Sequence, residues 1–504
     1  MTRNLWFDVE DLFEYAASNP RPSGIQRLAY EIYRAVQQSH GALGGIHFVR
    51  HDQVHGTFTV VSWATVTGLF DQLTNAPEAE RRSRPGPSSP ARAGGIAAES
   101  RPRWLARRLV HRLSPGVRQR LLAAARLQLQ AGFALVDLLG FVTAGAVARL
   151  RRAASRRGGA RSAAPGQTPP DPARDFAALA RPGDMLVVLG APWSHPDYAG
   201  LIRQTKTRYG VMFAVLIFDI IPIRRPEWCD RGLVRIFRAW FLALLPQADI
   251  ILAISRSTAD DVEDFAARND IPLRARVKVI PIGTGFGGMA PAPAVASDRL
   301  PPAGSYALFV STIEARKNHL LLFRVWRRLL EEMPPDSVPT LVFAGRVGWL
   351  VEDLMKQLEN TDYLNRKIRL VEDVSDAELA GLYRGCQFTL FPSLYEGWGL
   401  PVTESMAFGK PCIVARSSSL PEAGGRLARY FDPENVSDAY SVIRAVIEDP
   451  EGLRAWQAEI VRCFEPVPWA ATGHAILHYL SMAPRDDARA TMSAGVSHDG
   501  DRWD

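Results

Sequence analysis

The chain has 504 residues, 47% of them hydrophobic, which is enough for two or more domains with buried cores. Its formal net charge of +7 is uneven, because residues 101–161 contain fourteen arginines and one acidic residue. The four cysteines lie far apart and have no metal-binding spacing, and the N-terminal sequence has no apolar signal core. From these features we expect neither a cysteine-based metal cluster nor a secretion signal, and we expect a reducing, cytoplasmic setting.

The first part of the chain, residues 1–74 and 175–290, alternates strand and helix patterns. Apolar residues recur at helical spacing between Ile25 and Val36, so Gly24 lies where a loop meets the start of a helix. Short apolar runs such as 211–218 are typical of buried parallel strands. The patterns predict strands at 5–9, 45–51, 57–62, 184–189, 211–218, 250–254 and 277–282.

Residues 75–174 differ in composition from the rest of the chain. Segments 76–98 and 152–174 are rich in Pro, Ala, Gly, Ser and Arg, which predicts disorder. Between them lie two basic amphipathic patterns and an apolar run, 131–148, that is short for a membrane span and contains Asp137. Three interpretations stay open: a flexible insertion that packs on the first domain, contact with an anionic membrane surface through 101–161, or, less favoured, a membrane span at 131–148. The basic residues lack interleaved aromatic residues, so no nucleic-acid partner is expected.

The third part, residues 300–468, alternates strands and helices regularly, which predicts a doubly wound parallel sheet. The expected fold class is therefore α/β, with two Rossmann-like domains facing a cleft. A last amphipathic helix covers 469–480, and 481–504 form a polar tail that we expect to be disordered. The predicted strands are 306–310, 340–344, 367–371, 388–391, 411–415 and 430–432, and the predicted helices are 319–330, 351–359, 377–383 and 401–408, with two more beginning at Ser437 and Gly452.

The most informative segment contains two carboxylates, Glu396 and Glu404, separated by seven residues. A Gly-Trp-Gly-Leu-Pro turn lies between them, after a predicted strand and before a predicted helix. Glu396 is thus expected at the carboxyl end of a parallel strand, where ligands of α/β sheets bind, and Glu404 in the first helical turn. The simpler interpretation of each glutamate alone is a helix cap or a solvated loop charge.

The pair with its glycines resembles the E-x7-E signature of retaining nucleotide-sugar glycosyltransferases of family 4, which have the GT-B fold. The resemblance implies that Glu396 lies by the donor sugar and that Glu404 accepts hydrogen bonds from the ribose hydroxyls. It also implies that helix 469–480 crosses back to the first domain. The backbone amides that approach the sugar and the diphosphate are implied to be those of Gly397, Trp398, Gly399 and Leu400.

Two further loops of the third part resemble the family. The stretch Glu-Ala-Arg-Lys-Asn at 314–318 places a basic pair at a strand end, which suits a diphosphate, and it is similar to bacterial polysaccharide mannosyltransferases. Lys317 and Arg316 are expected to hold the leaving diphosphate, although Thr312 stands where the family has its first arginine. Gly345 begins a glycine-tryptophan loop that the resemblance places near the nucleotide. A solvated basic loop and ordinary sheet topology are the simpler interpretations.

In the first domain, residues 22–27 resemble the glycine loop that faces the donor diphosphate and the acceptor, with Gly24 preserved and Ser23 in place of another glycine. Relatives often have a His-Asp pair after a later strand, the histidine touching the donor sugar. Here that histidine position is Phe218, so Asp219 is the candidate polar group and His195 the alternative. A lone histidine is more often structural.

The resemblance implies transfer of a hexose with retention of configuration, leaning towards mannose from GDP-mannose. The implied acceptor is lipid-linked or a polysaccharide, in bacterial surface glycan synthesis on the cytoplasmic side of the membrane. No cofactor and no metal are expected, since Asp499-Gly-Asp501 lies in the polar tail. The alternative is a non-catalytic sugar-nucleotide-binding or membrane-associated scaffold, which Thr312 and Phe218 favour. Two other enzyme classes of the same fold fit less well. Sugar-nucleotide epimerases lack the E-x7-E pattern, and a phosphorylase needs a pyridoxal lysine, which we do not identify in this sequence.

Deleting residues 85–166 tests the membrane interpretation. We expect the shortened protein to lose binding to anionic phosphatidylglycerol vesicles but to keep donor hydrolysis, because the arginine-rich segment is removed and the predicted domains remain. Co-sedimentation with these vesicles, with neutral phosphatidylcholine vesicles as the control, measures the change. Unchanged binding to anionic vesicles would contradict this interpretation.

Overall fold

The computed structural model describes residues 3–19, 21–40, 45–52, 56–75, 175–285 and 300–482. The segments predicted to be disordered or membrane-associated between 76 and 174 lie outside these residues, as does the tail beyond 482. The described residues form two β-sheets, each with helices on both faces.

The first sheet has seven strands in the order β3-β2-β1-β4-β5-β6-β7. All neighbours are parallel except β2 and β3, which form an antiparallel pair at one edge. The strands are β1 Leu5–Asp8, β2 Ile46–Asp52, β3 Thr57–Val61, β4 Met185–Val188, β5 Met212–Ile217, β6 Ile250–Ala253 and β7 Lys278–Val279. The helices are Glu10–Ser18, Gly24–His40, Trp63–Asn75, Phe176–Leu179, Tyr198–Tyr209, Ile221–Arg224, Arg231–Leu244 and Arg256–Arg268.

The second sheet has six parallel strands in the order β10-β9-β8-β11-β12-β13. The strands are β8 Tyr306–Val310, β9 Thr340–Ala344, β10 Ile368–Val371, β11 Thr389–Phe391, β12 Cys412–Ala415 and β13 Arg429–Phe431. The helices are His319–Glu332, Glu352–Asn360, Asp376–Gly385, Leu400–Ala407, Leu420–Gly424, Val436–Glu448 and Pro450–Cys463, with a left-handed turn at Asp362–Arg366.

Both sheets are buried between helical layers, which explains the continuous apolar runs of the central strands. Every residue of β4, β6, β11 and β12 is buried. The last helix, Trp469–Ser481, follows the second domain in sequence but packs on the first. Ile476 and Leu480 join the first core, and Gly473 approaches Ala35 on the helix Gly24–His40. This helix therefore ties the two domains together.

The carboxyl ends of the two sheets face each other across a cleft. Arg27 of the first domain donates to both carboxylate oxygens of Asp376 in the second, at 2.9 and 3.1 Å. Glu422 of the second domain accepts from the backbone N–H groups of Arg256 and Ser257, at 2.7 and 2.8 Å. That carboxylate caps a helix of the other domain, where free N–H groups favour an anion.

The predicted α/β class with two Rossmann-like domains is confirmed. Some elements differ from the sequence-based prediction of two parallel-sheet domains. The helix Glu10–Ser18 was not predicted, strand 277–282 shrinks to Lys278–Val279, and β3 runs antiparallel to β2. Among the described strands, Lys278–Val279 pairs only with β6, so it lacks there the second neighbour that extends a central strand. None of the described helices has the length and apolar content that a membrane crossing requires.

Candidate functional site

The loop after β8 holds the loop after β11 in place. Arg316 donates to the carbonyl oxygen of Tyr395 at 2.6 Å and to Glu314 at 2.7 Å. Asn318 donates to the carbonyl oxygen of Pro392 at 3.2 Å from a left-handed conformation with φ of 59°, which asparagine tolerates. The Glu-x-Arg-Lys-Asn stretch therefore positions the strand end from which Glu396 extends.

Glu396 lies in a buried ion cluster. Its Oε1 is 2.6 Å from Lys317 Nζ and its Oε2 is 2.8 Å from Arg316 Nη1, while the residue is only 8% exposed. Burial by itself would raise the pKa of Glu396, but the two cations outweigh it and lower that pKa to about 2. For Lys317, burial disfavours the charged ammonium group and lowers the pKa, although the contact with Glu396 opposes this. Glu396 is thus an anion at neutral pH, able to accept hydrogen bonds but not to donate a proton.

Asp219 faces this cluster from the first domain. It follows β5, and its Oδ1 accepts from the N–H of Ile221 at 3.0 Å. A Cβ atom on Gly397 would overlap the carbonyl oxygen of Phe218 and lie 3.2 Å from Cβ of Asp219, so only glycine permits this approach of the two domains. Burial raises the pKa of Asp219 although the charge of Arg316 opposes this. The structure therefore brings Asp219, Glu396, Lys317 and Arg316 together.

Glu404 has a different electrostatic environment. The helix Leu400–Ala407 begins after Gly399, whose φ of 123° and close approach to Leu420 require glycine. Pro401 lies in its first turn, as predicted. Glu404 is buried and accepts from the Tyr383 hydroxyl at 2.9 Å, and burial raises its pKa. No described residue forms an ion pair with it, so the two glutamates of the motif differ in charge compensation.

The other predicted site residues are Trp398 and Leu400 of the glycine turn, and Gly345 and Gly24 of two loops. Trp398 packs against the cores of both domains, and Leu400 packs against the first. A Cβ atom on Gly345 would overlap the carbonyl oxygen of Ser311, so this glycine lets the loop after β9 pack on the loop after β8. Gly24, by contrast, has no atom within 4 Å of its Cβ position, so packing within the protein does not require glycine there.

His195 lies in a second polar cluster rather than in the ion cluster of Glu396. Its ring is 5.0 Å from the ring of His51, and His51 Nε2 is 2.8 Å from Asp8 Oδ2. The Tyr198 hydroxyl donates to the same oxygen at 2.7 Å. Burial and the neighbouring His51 lower the pKa of His195.

Asp11 completes this cluster in the first domain. Its pKa is raised to about 7 by burial and by the neighbouring charge of Asp8. A Cβ atom on Gly190 would overlap the Asp11 carboxylate, so the chain just after β4 has a glycine where that carboxylate packs. Sequence reasoning missed this cluster because its members come from three separated segments. The available signal was a pair of carboxylates, Asp8 at the end of β1 and Asp11 three residues later.

Sequence reasoning missed three contacts at the cleft. They are the Arg27–Asp376 ion pair, the helix cap formed by Glu422, and the hydrogen bond that Tyr383 donates to Glu404. Each contact joins positions far apart in the chain and carries no local motif. Within the described ranges, no group of three or more His, Cys, Asp or Glu residues is placed to hold a metal ion.

Comparison with known proteins gives a family for the second domain. Residues 296–460 match the family model described as glycosyl transferases group 1. The serotype-specific mannosyltransferase WbdA of Escherichia coli is 29% identical over 239 residues, which cover 45% of this chain and 29% of that protein. The O-antigen chain mannosyltransferase B of Escherichia coli is 33% identical over 144 residues, which cover 29% of this chain and 37% of that protein.

These matches span less than half the length of either relative. Among solved structures, a UDP-forming alpha,alpha-trehalose-phosphate synthase from Burkholderia xenovorans aligns with a TM-score of 0.47 and 15% identity. That alignment covers 61% of this chain and 74% of the other.

Replacing each glutamate of the motif by glutamine is expected to affect stability differently. Glu396→Gln leaves Lys317 and Arg316 buried without their shared anion, so the free energy of unfolding should fall by about 3–5 kcal/mol. Glu404→Gln keeps an acceptor for Tyr383 and leaves no cation unpaired, so it should change stability by less than about 1 kcal/mol. Urea denaturation at pH 7 measures both, and equal losses would contradict the difference in charge compensation.

The raised pKa of Asp11 predicts a pH dependence of stability. The folded state holds a proton on this carboxyl up to about pH 7, whereas the unfolded state releases it near pH 4, so stability falls as pH rises between these values. Asp11→Asn should remove this contribution. Between pH 5 and pH 8, the free energy of unfolding of the variant should therefore rise by about 2–3 kcal/mol relative to that of wild type.

Denaturant titrations of both proteins at pH 5 and pH 8 measure the gain. His51 also has a raised pKa, because it lies beside Asp8, so it makes stability fall with rising pH in both proteins. Only the difference between the two proteins therefore reports Asp11. Parallel pH profiles for the two proteins would show that Asp11 is ionised throughout.

Proposed function

Because residues 296–460 form a glycosyl transferases group 1 domain, we propose that this protein is a glycosyltransferase of bacterial surface glycan synthesis. It transfers a hexose from a nucleotide diphosphate sugar to a lipid-linked or polysaccharide acceptor, with retention of configuration. The observation that carries the proposal is the buried Glu396 between Lys317 and Arg316, opposite Asp219 across the cleft.

The reaction breaks the bond between the anomeric carbon and the β-phosphate oxygen and forms a bond to the acceptor oxygen. The acceptor proton passes to the departing phosphate, so the protein need not supply a general base. Glu396 is ionised and accepts hydrogen bonds from hydroxyls of the donor sugar, close to where positive charge develops on the ring. The glycine turn from Gly397 to Leu400 brings backbone N–H groups to the sugar and the diphosphate.

The two basic residues of the cluster have different roles in this proposal. Arg316 already contacts Glu314, Tyr395 and Glu396, so it chiefly positions the loop that carries Glu396. Among the described residues, Lys317 forms one side-chain ion pair, to Glu396 at 2.6 Å, and an ammonium group has three N–H donors. Lys317 therefore also binds the leaving diphosphate, and the reaction requires no metal.

At the other end of the donor, Glu404 accepts hydrogen bonds from the ribose. Its burial without an ion pair means that an uncharged hydroxyl pair is a suitable partner. Gly24 lies at the start of the helix Gly24–His40 with free space in front of it, which leaves room for the diphosphate near the helix N-terminus. Mannose from GDP-mannose is the proposed donor because both reported relatives are named mannosyltransferases.

Hydrolysis of UDP-, GDP-, ADP- and dTDP-sugars by wild type, Lys317→Ala and Glu404→Ala tests the proposal. We expect one donor to be hydrolysed, and we expect Lys317→Ala to lower the rate by about 100-fold or more, because it removes a cation that stabilises the leaving group. Glu404→Ala should weaken donor binding at least roughly tenfold, because the ribose loses its acceptor.

Lys356→Ala and Glu359→Ala are matched controls, since both residues are exposed on the helix Glu352–Asn360. Equal rates in all five proteins would contradict the assigned roles. Tight nucleotide binding without turnover, even with glycan acceptors supplied, would instead support the non-catalytic scaffold that Thr312 and Phe218 suggest.

A further inference from the structure

The loop that carries Glu396 is held from both domains. Within the second domain, the Glu396 N–H donates to the Ser418 hydroxyl at 2.8 Å, and the Ser419 hydroxyl donates to the Glu396 carbonyl oxygen at 2.9 Å. The preceding residue, Tyr395, contacts the first domain, because its hydroxyl donates to Asp261 Oδ2 at 2.5 Å. The second domain therefore fixes the backbone of Glu396, and the first domain fixes the side chain next to it.

Asp261 is placed for this contact by the helix Arg256–Arg268 and by an arginine. It is 6% exposed, and its other oxygen, Oδ1, is 3.0 Å from Arg224 Nε. Arg224 ends the short helix that follows β5 and Asp219. Polar contacts thus run from the segment after Asp219 through Asp261 to Tyr395.

The same helix also lies against the residue on the other side of Glu396. The Thr258 hydroxyl is 3.4 Å from the carbonyl oxygen of Gly397 and 3.2 Å from that of Phe218. Thr258 and Asp261 are three residues apart, so they share one face of the helix. From that face, the first domain contacts the Glu396 loop both before and after the glutamate.

We propose that Asp261 is a positioning residue of the reaction, which acts through Tyr395 to hold the Glu396 loop against the first domain. The inference rests on the proposed function, in which Glu404 binds the ribose of the donor. Glu404 lies on the helix Leu400–Ala407, outside the loop that Tyr395 anchors. Loss of the anchor therefore leaves the ribose contact in place and displaces Glu396 at the reacting carbon, where small displacements cost most in the transition state.

Kinetics of donor hydrolysis by the full chain, with the nucleotide sugar that wild type hydrolyses fastest, test this role. Tyr395→Phe removes the donor of the hydrogen bond and Asp261→Ala removes its acceptor. Each should lower kcat about tenfold and leave KM within about twofold. The double variant should be no more than about twofold slower than either single variant, because both changes remove the same bond. Asp261→Asn keeps an acceptor for the tyrosine and should retain more of kcat than Asp261→Ala.

Tyr440→Phe is the matched control, because the Tyr440 hydroxyl also donates to a carboxylate, that of Glu332, at 2.6 Å and within one domain. It should change neither kcat nor KM. Urea denaturation of each variant checks folding. Tyr395→Phe removes a single oxygen atom, so it keeps the test decisive if Asp261→Ala does not fold.

Three results would overturn the positioning role: an unchanged kcat in Tyr395→Phe, a rise in KM alone, or losses that multiply to about 100-fold in the double variant. No turnover of any donor by wild type would refute the proposed function and the positioning role with it. Normal wild-type turnover with kcat unaffected by Tyr395→Phe would refute only the positioning role.

Discussion

The arrangement of the cleft depends on keeping the carboxylate of Glu396 charged while it is out of water. A lone buried carboxylate would take up a proton, because desolvation disfavours the ion. Lys317 and Arg316 prevent this, and Arg316 also holds Tyr395 and Glu314 in the same network. The charge of Glu396 and the course of its loop are therefore fixed by the same contacts.

The ion cluster around Glu396 also lies against the first domain. Gly397 packs directly on Phe218 and Asp219, so the ion cluster and the end of β5 lie side by side. The Arg27–Asp376 pair and the Glu422 cap hold the cleft in this form away from Glu396. Glu396 has two ion-pair partners, whereas Glu404 has none among the described residues, and this contrast fits the partners proposed for them, an electron-poor sugar ring and neutral ribose hydroxyls.

Much of the fold was predictable, because parallel strands that are buried on both faces consist of continuous apolar runs, and such runs are visible in the sequence. Strands β8 and β9 have the predicted bounds, and Pro401 correctly marked the helix that carries Glu404. The helix Glu10–Ser18 was missed because its nine residues are short for a recognisable apolar period. The direction of β3 was missed because it depends on its pairing with β2 and not on its own residues. His195 was chosen as a candidate because it follows a strand end, which is visible in the sequence, whereas its contact with the His51 ring depends on tertiary structure.

The alternation of strands and helices, the glycine turn and the spacing of Glu396 and Glu404 follow from the sequence alone, since these are properties of consecutive residues. Tertiary structure alone decided that Lys317 meets Glu396, 79 positions away, and that Tyr395 meets Asp261 of the other domain, 134 positions away. It also decided the charge states. The pKa of a carboxyl depends on its burial and on the charges around it, and both are set by which distant loops the parallel strands bring to the same edge.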